Sequence, residues 1–415
     1  MYDENGILRY GGDFKDRPSD YDFCGNGIVF SDRQITPKMQ EVKYCYQYID
    51  MDINEKMISV ANNYLFTNTN KFNFSIELYC NGKLENSIIM NLALEPGEKT
   101  VISNPFRVLN EECRYNIVVR VFDMAEHEVA HEQFEYPYTE VLKHASSKVS
   151  IVEDYLNIGI IGDDFAIKFA KNRGLTSMKI EDEEMIRTVP KPNFFRASTN
   201  NDIENKYGYR YAAWLSASLF SIPKFTKIIK NETFCEVHFD YLLPNLGGGD
   251  VHVVYTVYGD GELAIDMSYM PSEDFIEMPA FGMLGRGPLE NYIDRNKGAV
   301  LGKYTYKASE NVTPYLYPQE CGNRTGVNNI TISSGKHSLI IKGNNFEFSA
   351  IPYTPFEMEN AKHADELPSP YQTVLCIYER QMGAAGDDTW GAKTHDEYLL
   401  SNSKEHRLSI SIKGK

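Results

Sequence analysis

Carboxylates crowd into a few short stretches of this 415-residue chain, and they are the side chains best able to move a proton. Asp13, Asp16, Asp20 and Asp22 share one loop, Glu290, Asp294 and Glu320 a second region, and Asp387 and Asp388 stand together just before Trp390. Taken singly, each is better read as solvated or structural. Trp390 is one of two tryptophans, and a flat aromatic face can stack on the apolar C–H face of a sugar ring. The other, Trp214, lies among Ala212, Ala213 and Leu215 in a helical pattern and is read as core. Asn26 stands between Gly25 and Gly27; on spacing alone this is an ordinary Asn-Gly turn after a buried Phe23. His127 and His131 are four apart in a strand-like region without a third ligand, so no metal is read there.

Those residues must be positioned by something, and the chain is too long for one core; two or three domains are expected. Tyr10-Gly11-Gly12-Asp13-Phe14 leads into the acidic loop and then Phe23 to Arg33, which reads as a barrel strand handing over to a loop. A single βα unit cannot bury its own apolar face, so residues 1–38 are a remnant of something larger or an arm packed on its neighbours. Over 39–140 about seven strand-like segments follow, the first read at Tyr44 to Ile49, with turns at Asn81-Gly82 and Pro96-Gly97. That is the arithmetic of an immunoglobulin-like sandwich. A polar linker occupies Lys143 to Lys148. From 148 to 415 strands continue, implying two large packed sheets; only Tyr209 to Phe220 has a helical period.

A net charge of −16 disfavours nucleic acid and anionic membrane surfaces as partners. The seven cysteines are scattered, form no zinc spacing, and read as reduced thiols of a cytoplasmic protein. No apolar run approaches the roughly 20 residues of a membrane helix.

The stretch from Gly11 to Arg33, with GGDF, D-x-P and D-F-C-x-N-G-[LIV]-V-F-x-D-R, closely resembles the end of the (β/α)8 barrel in the large bacterial β-galactosidases of glycoside hydrolase family two. Three further stretches carry the same resemblance in the same order. Phe194 to Ile203 matches F-x-R-A-x-x-[DN]-N-D. Gly285 to Arg295, with Pro314-Tyr315, Pro318-Gln319-Glu320 and Gly322, matches G-x-G-P-x-E-N-Y-x-D-R and P-Y-x-x-P-[QS]-E-x-G. Met382 to Trp390 matches M-G-x-x-G-D-D-[ST]-W.

The resemblance implies a mainly β chain: a barrel-end remnant, an immunoglobulin-like sandwich and a large galactose-mutarotase-like two-sheet sandwich. It implies a C-terminal portion or small chain of a retaining β-galactosidase acting on terminal β-D-galactosides such as lactose. Such hydrolysis needs two carboxyl groups roughly 5 Å apart, and the family's two catalytic glutamates lie on earlier barrel strands, so no catalytic residue is expected here. The isolated chain is expected to be inactive. Trp390 is implied as a substrate platform. Phe23, through its main-chain oxygen, and Asn26, through its side-chain oxygen, are implied as sodium ligands, the ion in turn binding the galactose 6-hydroxyl. Hard cations take such oxygens. A third ligand would come from a barrel-bearing partner, leaving this chain's sodium site incomplete. Ser19 stands where some relatives have Asn near an accessory magnesium site, a departure that counts against magnesium. The complete enzyme is expected to be an oligomer. Arg196, Asn201 and Asp202 read as a loop-fixing network, and Glu290 to Arg295 with Glu320 and Arg324 as a buried ion network. The alternative is a stand-alone galactoside-binding or aldose-epimerase-like module, which would need a histidine pair and a glutamate from His238, His252, His337 and Glu320.

Overall fold

The computed structural model of the protein describes residues 2–25, 27–107, 113–138, 144, 147–244, 246, 249–283, 290–334, 336–388 and 390–415. It divides into two compact units, one of residues 34–142 and 295–305, the other of 1–33, 143–294 and 306–415.

The smaller unit opens with helix α1 (Met39–Cys45) and continues with strands β1 (Ile49–Ile53), β2 (Met57–Asn62), β3 (Asn73–Cys80), β4 (Lys83–Met90), β5 (Lys99–Ser103), β6 (Tyr115–Phe122) and β7 (Glu128–Glu135). They form two antiparallel sheets, ordered β1-β2-β5 and β4-β3-β6-β7. Ile49, Met51 and Ile53 alternate inward while Asp50 and Asp52 face out, the period-2 signature of a half-buried strand. Ile58, Val60, Phe74, Ile76, Ile117 and Val119 complete the core between the sheets. Asn81 and Gly82 both take positive φ in the β3–β4 hairpin, as a two-residue turn requires. The segment 295–305 returns along β7, where Gln133 donates to the Ala299 carbonyl and accepts from the Leu301 N–H.

Two expectations for this unit are corrected. The strand read at Tyr44 to Ile49 is the end of α1 followed by the start of β1. A run of helix formers from Met39 to Lys43 after Pro37 outweighs the aromatic run that suggested a strand. Cys80 and Cys113 are joined in a disulfide, their Cα atoms 5.8 Å apart, so not all seven cysteines are reduced thiols. Their juxtaposition follows from the β3–β6 pairing, which sets Cys80 opposite Tyr115.

The larger unit has a five-stranded antiparallel sheet of β8 (Ser150–Glu153), β9 (Asn157–Ile161), β10 (Phe165–Ala170), β11 (Gly174–Ile180) and β12 (Glu183–Glu184). Helices α2 (Asn200–Glu204), α3 (Tyr207–Arg210) and α4 (Ala212–Phe220) follow. The nine-stranded sheet comprises β13 (Ile222–Lys230), β14 (Phe234–Leu242), β15 (Val251–Tyr258), β16 (Leu263–Tyr269), β17 (Ala280–Met283), β18 (Asn323–Ser334), β19 (His337–Ile351), β20 (Val374–Gln381) and β21 (His406–Gly414). Its order is β13-β14-β15-β16-β21-β19-β20-β17, with β18 on β19; helix α5 (Pro355–Asn360) lies between β19 and β20 in sequence. Ile158, Ile167 and Phe169 from one sheet meet Val237, Phe239, Tyr255 and Ile410 from the other, so the unit is a sandwich whose alternating faces supply one core. Trp214 is fully buried in it and its indole N–H donates to the Ile276 carbonyl.

Residues 2–33 do not form the barrel strand expected of them. Among the described residues they hold a bridge between Tyr2 and Leu8 and a 3-10 turn at Tyr21–Cys24. A strand needs neighbours to complete its ladder, and instead the segment is an arm tied down by side chains. Arg9 makes a two-pronged contact with Asp365, the Tyr10 ring stacks on His363 at 4.6 Å, and Tyr10 Oη donates to the Lys362 carbonyl. Gly11 lets the arm fold back closely on itself: a Cβ there would displace Ser19 Oγ and stand 3.0 Å from the Tyr21 carbonyl oxygen.

Candidate functional site

The site is built from α2 outward. Thr199 caps α2 and forms a capping box with Asp202, the arrangement that satisfies the first free N–H groups of a helix. Asp202 Oδ2 also accepts from Arg196 Nη1 at 2.6 Å, and both side chains are almost wholly buried. Burial alone would weaken the guanidinium's hold on its proton, but the Asp202 charge outweighs it and keeps Arg196 protonated. Arg196 Nη2 then donates to the Gly383 carbonyl at 3.1 Å, which links α2 to the stem of the Trp390 loop. Asp294 accepts from the N–H groups of Ala384 and Ala385, and Thr394 Oγ1 donates to the Gly383 and Ala385 carbonyls.

The tip of that loop is held just as locally. Asp388 Oδ1 accepts from the N–H groups of Trp390 and Ala392, and Asn201 Nδ2 donates to the Ala392 carbonyl. Gly391 has φ +100, and a Cβ there would stand 3.2 Å from the Glu204 carbonyl, so only glycine lets the loop turn against α2. The outcome is an indole 74% exposed on an anchored backbone.

Phe23 comes to meet it. Its ring centroid lies 5.1 Å from that of Trp390 with the planes tilted by 41°. Asp22 accepts from Asn200 Nδ2 at 2.5 Å, fastening the 3-10 turn to α2. Phe23 is 50% exposed, which corrects the reading of a turn after a buried Phe. Asn26 lies outside the described residues, as does Thr389. Ser19 Oγ accepts from the Tyr21 N–H within its own loop.

The other sequence candidates are spent elsewhere. Asp13 pairs with His363, Asp16 accepts from the N–H groups of Gly12 and Phe14, and Asp387 pairs with His395. Glu290 accepts from Thr313, Tyr315 and the Gly322 N–H. Glu320 accepts from Tyr292 and Gln381, and Glu347, which the sequence reading missed, from Asn323 and the Gln381 N–H. Burial pushes Glu320 up to about 7 and Glu347 up to about 8, and pulls Arg324 down to about 9. This is a buried hydrogen-bonded network rather than a row of fully charged pairs. His238, His252 and His337 pair with Glu236, Asp240 and Glu183 respectively, and none of them is among the partners of Glu320. A cleft of about 250 Å³ lined by Ser198, Ile203, Lys206, Tyr209, Tyr317 and Glu359 includes neither Phe23 nor Trp390. Asp22 and Asn200 escaped the sequence reading as site supports because nothing local to either signals the other.

The fold and site define a large antiparallel sandwich that presents an anchored, exposed aromatic pair, and such a sandwich by itself fixes no chemistry. Comparison with known families narrows this. Residues 161–412 match the family described as the β-galactosidase small chain, 58–137 match domain 4 of β-galactosidase, and 2–51 match the barrel domain of glycosyl hydrolases family 2. The β-galactosidase of Priestia megaterium is 34% identical over 99% of this chain and 43% of its own length. That of Streptococcus thermophilus is 34% identical over 98% of this chain and 42% of its own, and that of Halalkalibacterium halodurans 35% identical over 97% and 43%. The chain belongs to the β-galactosidase small-chain family of glycoside hydrolase family two and corresponds to the C-terminal part of a β-galactosidase. It spans less than half the length of these relatives. Among solved structures, a galactose 1-epimerase from Lactobacillus acidophilus overlaps 65% of this chain and 99% of its own, at 9% identity and a TM-score of 0.35.

Proposed function

We propose that the chain supplies one wall of the active site of a retaining β-galactosidase that hydrolyses terminal β-D-galactosides such as lactose, and that the two catalytic glutamates belong to a barrel-bearing partner or preceding region. The observation that carries this reading is the meeting of Phe23 and Trp390 on anchored loops. Trp390 offers its face to the sugar, and Phe23 braces that face. The Phe23 carbonyl and the Asn26 side chain contribute two ligands to a sodium ion that takes the galactose 6-hydroxyl, and the partner contributes the rest. Magnesium has no part in this reading at Ser19. The complete enzyme is an oligomer of the cytoplasm.

The test is hydrolysis of a nitrophenyl β-galactoside by this chain alone and then with a complementary N-terminal fragment. The lone chain is expected to be silent and the mixture active. Turnover by the lone chain overturns the reading, and catalysis of galactose mutarotation would favour the stand-alone epimerase-like module instead.

A further inference from the structure

A second group of ligand-type side chains lies away from Trp390, at the turn joining β15 to β16. The turn reads Gly259-Asp260-Gly261-Glu262, with Gly261 at φ +79. Ser147 lies directly over it: a Cβ on Gly259 would collide with the Ser147 carbonyl. His144 stacks flat on Tyr258, ring centroids 3.5 Å apart and planes 5° from parallel. Its Nδ1 faces Glu262 Oε2 at 3.7 Å and Asp260 Oδ1 at 3.9 Å.

These separations are too long for hydrogen bonds, yet the groups are withdrawn from water. Glu262 is only 8% exposed, and among the described residues its Oε1 and His144 Nδ1 are buried atoms without a hydrogen-bond partner. Buried polar groups are ordinarily satisfied, so His144 Nδ1 and the Glu262 carboxylate left in this state, with Asp260 beside them, describe an unfilled requirement. One ligand atom from each residue lies within 4.8 Å of the other two. Tetrahedral zinc gathers nitrogen and oxygen donors at about 2.0–2.2 Å, which sets them roughly 3.3–3.6 Å from one another, so a small inward shift of two side chains completes the geometry. Lys413 neutralises the outer oxygen of Asp260 at 2.7 Å, while Oδ1 accepts from the Glu262 N–H at 3.3 Å and keeps a lone pair for a cation.

We propose that His144 Nδ1, Asp260 Oδ1 and Glu262 Oε2 bind a divalent transition cation, zinc by preference, which staples the segment preceding β8 to the β15–β16 turn. The imidazole selects such an ion over calcium or magnesium, which take all-oxygen sets. Water completes the coordination, and the role is structural.

The test uses the whole chain after chelator treatment. Calorimetric titration with Zn²⁺ is expected to show one equivalent bound, with a rise in the thermal unfolding midpoint. Co²⁺ is expected to develop the visible bands of a tetrahedral site. Glu262→Gln, which keeps the side-chain volume, and His144→Ala are each expected to weaken Zn²⁺ by roughly tenfold or more and to abolish the cobalt bands. His252→Ala, at an exposed histidine at the opposite end of β15 from the turn, should change neither. Absence of stoichiometric Zn²⁺ binding by the parent chain, or equal binding by both site variants, overturns the proposal. A midpoint that responds to pH but not to Zn²⁺ would mark a bare imidazolium–carboxylate cluster and overturn it equally.

Discussion

Phe23 and Trp390, from opposite ends of the chain, place their ring centroids 5.1 Å apart, and each is fastened to α2 through a neighbouring side chain, Asp22 to Asn200 and Asn201 to Ala392. A short helix with no chemistry of its own therefore sets the relation between the two aromatic residues.

The first expectation is optical. Trp214 is fully buried and Trp390 largely exposed, so acrylamide should quench Trp390 selectively. Added galactoside should protect it only when the complementary fragment is present. Trp390→Ala should leave the unfolding midpoint unchanged and raise KM of the complemented enzyme by up to about tenfold, the scale of one aromatic contact. Unaltered KM would remove the platform role.

Asp202→Ala should cost about 3–5 kcal/mol in urea unfolding, because it strands a buried guanidinium. It should also open the Met382 to Trp390 loop to protease, since Arg196 holds both. Asn201→Ala should loosen the loop tip with a far smaller stability change.

Glu347 is raised from 4.5 to about 8 by burial, so the fold favours its neutral form. Its contribution to stability is complete below the unfolded value of 4.5 and is lost as pH rises through about 8. Denaturant unfolding across that window should show declining stability in the parent and a flatter profile in Glu347→Gln. Identical profiles would mean the carboxyl does not titrate there.

The sodium reading predicts that Asn26→Ala, in the complemented enzyme, loses its rate response to Na⁺ while retaining residual activity. The chain alone should show no Na⁺-dependent stabilisation. A parental sodium response in the variant would exclude the Asn26 side chain as a ligand.

Thiol titration of denatured, unreduced protein should find Cys45, Cys235, Cys321 and Cys376 reactive and Cys80 and Cys113 blocked. Reduction should lower stability by ~3.7 kcal/mol, the chain-entropy value for a sequence separation of 33.

Much of the fold was legible because its determinants are local. Alternation in β2 and β3, the apolar run of β6, the Asn81-Gly82 turn and the helical stretch near Trp214 can each be read from a few consecutive residues. In the larger unit β8, β11, β12, β13, β17 and β20 were missed. β11 starts at a glycine, the outer strand β13 is rich in lysine, and β20 is buried along much of its length without alternating. Burial on both faces erases the period-2 pattern.

The motif strings by themselves determined the family and marked Phe23, Asn26 and Trp390, because ordered residue identities survive without knowledge of contacts. Tertiary structure alone decided that Phe23 meets Trp390, that α2 holds them there, that Cys80 faces Cys113, and that His144 reaches Asp260 and Glu262. Each of these depends on loop closure between residues distant in sequence, and local residue preference carries no record of which distant partner the packed sheets will deliver.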